Sequence, residues 1–275
     1  MDESRLHFER SSPCDGRPLC FLHGFMGSTG DWAPIREALG ERTCHLAVDL
    51  PGHGESVGRP EHDYTVEGAA QALADVLDEV GIDRCRLVGY SMGGRVALYF
   101  ALTQPDRVER LVLESTSPGI SDPEERARRR SLDARRAEQI QADLAAFLEE
   151  WYRQPLFASL ARHDLVEDMV ARRRENDPDE LARAIRGMSP GRQAPLWDRL
   201  GDLSCPTLLL TGALDEKYRR ITDDTSAALP NARRVVVPGA GHNVHAERPQ
   251  AFVSHLVQFL QETGSAAETT PSDSL

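Results

Sequence analysis

The chain has 275 residues, 40% of them hydrophobic and 28% charged, with a formal net charge of −12 at pH 7. That length can bury a sizeable core, as one large domain or as a domain carrying an insertion, and the acidity argues against a nucleic-acid partner, whose phosphates it would repel. No apolar run approaches the ~20 residues of a membrane-spanning helix, and "MDESRLHFERSSP" lacks the basic-then-apolar pattern of a signal peptide, so a cytoplasmic protein with no membrane insertion is expected.

The five cysteines, Cys14, Cys20, Cys44, Cys85 and Cys205, are odd in number and unclustered. Free, mostly buried thiols are expected, not disulfides or a metal site. Of the 32 basic residues, Lys217 is the only lysine.

Along the chain, short β-branched or Leu-rich runs alternate with amphipathic helical patterns. "PLCFLHG" (18–24), "RTCHLAVDL" (42–50), "RCRLVGY" (84–90), "VERLVLEST" (108–116), "CPTLLLTG" (205–212) and "ARRVVVPGA" (232–240) read as buried strands. Between them, "TVEGAAQALADVLDEVG" (65–81) has helical spacing, with Thr65 as N-cap and Gly81 as the stop. Alternating strands and helices imply right-handed crossovers and a mostly parallel sheet covered on both faces, an α/β fold. Residues 121–200 break the rhythm with helical, charged sequence and no strand-like run. They hold 15 Arg against 16 Asp plus Glu, a net of −1, which leaves −11 to the other 195 residues. The expected organisation is a core of residues 1–120 and 201–262, a helical lid of 121–200 over the carboxyl edge of the sheet, and a polar, disordered tail of 263–275.

A strand running into Gly89-Tyr90-Ser91-Met92-Gly93 and then into a helix has the form of a nucleophile elbow. Glycines let the chain turn sharply around a serine whose hydroxyl projects above the sheet. "LTGALDEK" then places Asp215 after a strand, and "VVVPGAGHNVHAERP" places His242 after the last strand. His242 would take a proton through one ring nitrogen while Asp215 holds the other. "FLHGFMGS" supplies a second backbone donor near Phe25 that would act with Met92 as an oxyanion hole; losing one such donor costs about 3 kcal/mol. His23 and His53 read as structural. His242 and His245 have no third partner at ligand spacing, so no metal is expected. Serine, acid, histidine in this order resembles the α/β-hydrolase superfamily from about residue 15 to 262, which implies its fold and triad but not a reaction.

Arg95 lies one helical turn after Ser91, and helical side chains lean toward the N-terminus, which aims it at the serine's pocket. The surrounding helix, "MGGRVALYFAL", is otherwise apolar. A guanidinium buried there needs an anion, because an unpaired buried charge costs several kcal/mol, and a substrate carboxylate fits its two-pronged donor.

"LHGFMGS", "GYSMGGR", "WYRQPLFASL", "MSPGRQAPLWDRL" and "GALDEKY" together resemble the synthases of succinyl-hydroxy-cyclohexadiene-carboxylate in menaquinone biosynthesis. The resemblance implies a lyase that eliminates pyruvate from a polycarboxylate. In it Ser91, primed by His242 and Asp215, abstracts a proton beside a succinyl ketone and forms no acyl-enzyme. It implies anion binding by Arg95, Arg129 and Arg173, a pocket contact from Tyr90, and lid aromatics Trp151 and Phe157 that pack on the substrate or against the core; Lys217, two residues after Asp215, would add a cation near the site or keep its head in solvent. It implies no cofactor, and it leaves the oligomeric state open. The alternative is a carboxylesterase or carbon–carbon bond hydrolase that uses Ser91 as nucleophile on a carboxylate-bearing substrate.

Overall fold

A computed structural model describes residues 5–11, 17–40 and 43–262; the expected tail 263–275 lies outside them, as does Cys14. Seven strands, β1 (Phe8–Arg10), β2 (Leu19–Leu22), β3 (His45–Val48), β4 (Cys85–Tyr90), β5 (Val108–Glu114), β6 (Thr207–Gly212) and β7 (Ala232–Val237), form one sheet in the order β1-β3-β2-β4-β5-β6-β7. All neighbours are parallel except β1, which runs antiparallel on β3. Six strands coincide with the six apolar runs. The seventh, β1, is a three-residue edge strand, too short for its alternation to be read.

Helices α1 (Ala33–Leu39), α2 (Val66–Glu79) and α3 (Met92–Thr103) pack on the sheet. The Thr65 hydroxyl caps α2 by accepting from the Gly68 N–H at 2.9 Å, and Gly81 takes the left-handed φ of 69° just past its end. One apolar cluster unites α2 and α3 with the sheet through Leu73, Leu77, Val96 and Phe100. On a separate cluster Trp32, Ile35, Phe252 and Leu256 pack with Phe21, Val88 and Leu210.

Between β5 and β6 come α4 (Pro123–Ala142), α5 (Leu144–Tyr152), α6 (Val166–Arg173) and α7 (Pro178–Gly187), with short 3-10 turns and no strand among the described residues. These helices bury a third cluster, including Ile140, Phe147, Leu148, Leu181 and Ile185, into which Met26 alone among the described residues outside this segment is fully inserted. Then α8 (Glu216–Ala228) follows β6, and α9 (Val244–Glu247) and α10 (Pro249–Gln261) follow β7. Cys20, Cys85 and Cys205 are free and buried, whereas Cys44 departs from expectation in being disulfide-bonded. No described helix is long and apolar enough to cross a membrane.

Candidate active site

The parallel strands end on one edge, and their trailing loops carry the expected chemistry. Ser91 follows β4 directly with φ 49° and ψ −105°, a strained conformation for a residue with a side chain. Its surroundings demand glycine: a Cβ on Gly93 would sit 2.4 Å from the His23 carbonyl oxygen, and one on Gly89 would sit 2.6 Å from that of Gly93. The Ser91 N–H donates to the Glu114 carbonyl at 2.9 Å, and the Thr116 hydroxyl donates to the Ser91 carbonyl at 2.7 Å. The elbow is thus clamped to β5.

Ser91 Oγ lies 3.1 Å from His242 Nε2, and His242 Nδ1 lies 2.7 Å from Asp215 Oδ2. Asp215 also caps α8, its Oδ1 accepting from the Tyr218 N–H at 3.0 Å. One carboxylate therefore fixes both a helix start and the imidazole. Glu247, which the sequence did not single out, is buried and accepts from the N–H groups of Gly241 at 2.7 Å and Asn243 at 3.2 Å, the two residues flanking His242.

Met92 is the first residue of α3, so its N–H has no acceptor within the helix. Phe25 shares the cavity with Ser91 and Met92. The Phe25 loop is tied to the elbow by the Gly93 N–H, which donates to the His23 carbonyl at 3.1 Å. His23 bonds the Gly24 carbonyl at 2.7 Å through Nδ1 and accepts from the Leu50 N–H at 2.9 Å through Nε2. Burial lowers its pKa and pushes that of His53 down to about 3. His245 is bonded to Glu114 at 2.8 Å and stacked on Trp32.

Above Ser91 and His242 is a cavity of about 860 Å³ lined by these two residues, Phe25 and Met92, together with residues 117–136, 151–160, 184–190 and 217–221 in part. Arg95 is 6% exposed and reaches into its wall. Its Nη1 donates to Gln193 Oε1 at 2.9 Å and its Nη2 to the Met188 carbonyl at 2.7 Å. Among the described residues no carboxylate pairs with it. Burial, then the charge of Arg129, push its pKa down to about 10.

Arg129 lines the cavity and donates Nε to Asp133 Oδ2 at 2.7 Å. Arg136, which the sequence reading passed over, bonds the same carboxylate at 3.3 Å and lies 4.9 Å over the Trp151 ring. Positions 129, 133 and 136 fall on one face of a helix, a spacing that would have revealed it. Lys217 also lines the cavity. Burial and the neighbouring Arg129 lower the pKa of both Arg136 and Lys217. Altogether Arg95, Arg128, Arg129, Arg136, Arg173 and Lys217 face Asp122, Glu125 and Asp133 across this cavity, six cations against three carboxylates.

Arg173 differs from expectation. Both its Nη atoms are engaged by Asp31, at 2.8 and 2.6 Å. Burial alone would raise the Asp31 carboxyl, but Arg173 holds it below its usual range. The cavity therefore meets Arg173 as half of an ion pair that ties α6 to the loop after β2. Trp151 contacts Phe25, Phe147 and Phe157 at ring separations of 5.4–5.7 Å. Phe157 stands edge-on to His242 at 5.9 Å. Tyr90 is buried 5.4 Å from the His242 ring, and a Cβ on Gly24 would collide with it. Tyr218, also missed from the sequence, lies closer to His242, at 4.5 Å.

A strained serine between strand and helix, with histidine and aspartate on later loops of the same sheet edge, defines an α/β-hydrolase; the α/β hydrolase fold family matches residues 17–249. The chain resembles a 2-succinyl-6-hydroxy-2,4-cyclohexadiene-1-carboxylate synthase of Serratia proteamaculans at 36% identity, over 90% of this chain and 94% of that one. It superposes on MenH from S. aureus with a TM-score of 0.87 at 31% identity, covering 93% and 97% of the two chains. A thermophilic esterase from Thermogutta terrifontis, with malate bound, gives 0.81 at 30%, covering 93% and 92%. Within the α/β-hydrolases, the chain belongs to the 2-succinyl-6-hydroxy-2,4-cyclohexadiene-1-carboxylate synthase family.

Proposed function

We propose that the protein is the lyase of menaquinone biosynthesis that eliminates pyruvate from 2-succinyl-5-enolpyruvyl-6-hydroxy-3-cyclohexene-1-carboxylate. The observation that carries this reading is the excess of cations around the triad, with Arg95 buried and unpaired by any described carboxylate. Such a wall is costly to build and is balanced when a polyanion occupies it.

In the proposed reaction His242 takes the Ser91 proton, and the resulting alkoxide removes the proton from the ring carbon bearing the succinyl ketone. The electrons move onto the ketone oxygen, held by the N–H groups of Phe25 and Met92. As the carbonyl re-forms, the ring double bond shifts and the bond between the ring carbon and the enolpyruvyl oxygen breaks; the departing enolate takes the proton held by His242 and ketonises, which leaves a cyclohexadiene, pyruvate and Ser91 re-protonated by the substrate's proton. Asp215 stabilises the imidazolium throughout. Arg95, with Arg129 and Arg136, fixes substrate carboxylates so that the acidic carbon lies over Ser91. Tyr90, Trp151 and Phe157 exclude water around it, and Lys217 adds charge at the rim. Arg173 acts chiefly by holding the lid through Asp31. The small-molecule polycarboxylate is the only partner this scheme requires.

The test is pyruvate release by the purified protein from the enolpyruvyl substrate, with a neutral nitrophenyl ester in parallel. Rapid pyruvate with negligible ester turnover is expected. Fast ester cleavage with no pyruvate above the spontaneous rate would return Ser91 to the nucleophile's role of an esterase.

A further inference from the structure

Outside the catalytic cavity a second hollow of about 500 Å³ opens between α4, the start of α2 and the loop after α7, with Arg126, Arg130 and Arg192 in its wall. Arg126 and Arg130 are one turn apart on α4. Arg130 Nη1 donates to the Gly191 carbonyl at 2.9 Å, and Arg126 Nη2 reaches the Arg192 carbonyl at 3.4 Å. Carbonyls orient a guanidinium but do not neutralise it. No carboxylate among the described residues is within ion-pair distance of any of the three, although Glu67 lines the same wall. In a chain with 44 acidic residues against 32 basic, three arginines left unpaired around one hollow run against composition.

Gln193 links this hollow to the active site. It lines the outer cavity and is 3% exposed, and its Oε1 accepts from Arg95. Its Nε2 is buried without a hydrogen-bond partner, as is Arg126 Nε. A buried donor left unpaired is destabilising, because it has given up its hydrogen bonds to water and gained none in return. An acceptor bound in the hollow beside Arg126 would lie against Gln193, the residue that holds Arg95.

We propose that this hollow is a second anion site, separate from the catalytic cavity, that binds a small polyvalent oxyanion between Arg126, Arg130 and Arg192 and is coupled to Arg95 through Gln193. Carboxylate and phosphate both match the paired donors of arginine, so citrate and inorganic phosphate serve as separate probes.

Calorimetric titration of each probe into wild type, Arg126→Ala/Arg130→Ala and Arg95→Ala distinguishes the sites. Wild type should show two classes of binding for at least one probe. The double variant should lose one class, by tenfold or more, and Arg95→Ala the other. Which probe fills the outer class identifies its chemistry. Arg192→Glu, on an exposed side chain, provides an independent route if loss of the Arg130–Gly191 bond impairs folding. Titrations of both altered proteins that superimpose on wild type would overturn the site, whether or not the proposed reaction is correct. Coupling is read from citrate inhibition of pyruvate release, expected to be mixed in wild type and purely competitive in Arg126→Ala/Arg130→Ala. Competitive inhibition in both would overturn the link through Gln193. Without added anion, the double variant should release pyruvate within twofold of the wild-type rate.

Discussion

The carboxyl edge of the sheet and the helical segment above it handle buried charge in opposite ways. At the edge the buried carboxylates around the histidines each have partners: Asp215 serves His242 and the start of α8, Glu114 serves His245, and Glu247 serves the backbone on both sides of His242. In the cavity wall the balance is left open, with Arg95 bonded only to an amide and a carbonyl, and Arg129 and Arg136 sharing the one carboxylate of Asp133. A closed network fixes geometry and would serve an esterase as well as a lyase. An open one selects what can bind, so under the proposed function the arginines choose the substrate and the edge performs the chemistry.

Removing the apparatus should have the largest effect. Ser91→Ala and His242→Ala are each expected to lower kcat for pyruvate release by about 10³-fold, as read in steady-state assays, with binding of the substrate by calorimetry nearly unchanged. Thinning the cationic wall comes next. Arg129→Ala or Arg136→Ala should raise KM about tenfold, the scale of one weakened charge-assisted hydrogen bond, and leave kcat within a few-fold. An equal fall in kcat would move these residues from the wall into the apparatus.

Glu247→Gln keeps the shape but removes the charge that accepts from both the Gly241 and Asn243 N–H groups. We expect kcat to fall several-fold with KM unchanged, because a positioning defect in His242 acts on the proton transfer and not on the carboxylates. The smallest effect is on stability. His53 is held neutral by burial, with its pKa lowered from 6.5 to about 3. Between those values the unfolded chain binds a proton that the folded chain does not, so stability is retained above about pH 6.5 and lost as pH falls. The slope is on the order of 1 kcal/mol per pH unit. Urea unfolding of His53→Gln between pH 4 and 6 should show a slope reduced by about one proton.

The edge was legible because its parts are local and ordered: a strand, two glycines around Ser91, then Asp215 and His242 each just past an apolar run. Arg95 was legible because one helical turn connects it to Ser91. What escaped was whatever depends on tertiary meeting. Glu247 folds back across five residues to His242, and Gln193 reaches Arg95 from 98 positions away. Arg173 lay in an arginine run where sequence could point to an anion but not to Asp31, 142 residues distant, as its partner. The edge strand β1 escaped for a different reason, since three residues carry no readable period.

The contrast between edge and wall is tested most directly by Arg95→Ala assayed on two substrates, the enolpyruvyl polycarboxylate and a neutral nitrophenyl ester. If Arg95 anchors a carboxylate, kcat/KM for pyruvate release should fall about 100-fold, equivalent to about 3 kcal/mol, while the slow ester rate stays the same or rises. An equal loss on both substrates would show that Arg95 supports the elbow itself, and the account of a substrate-selecting wall above a general triad would be wrong.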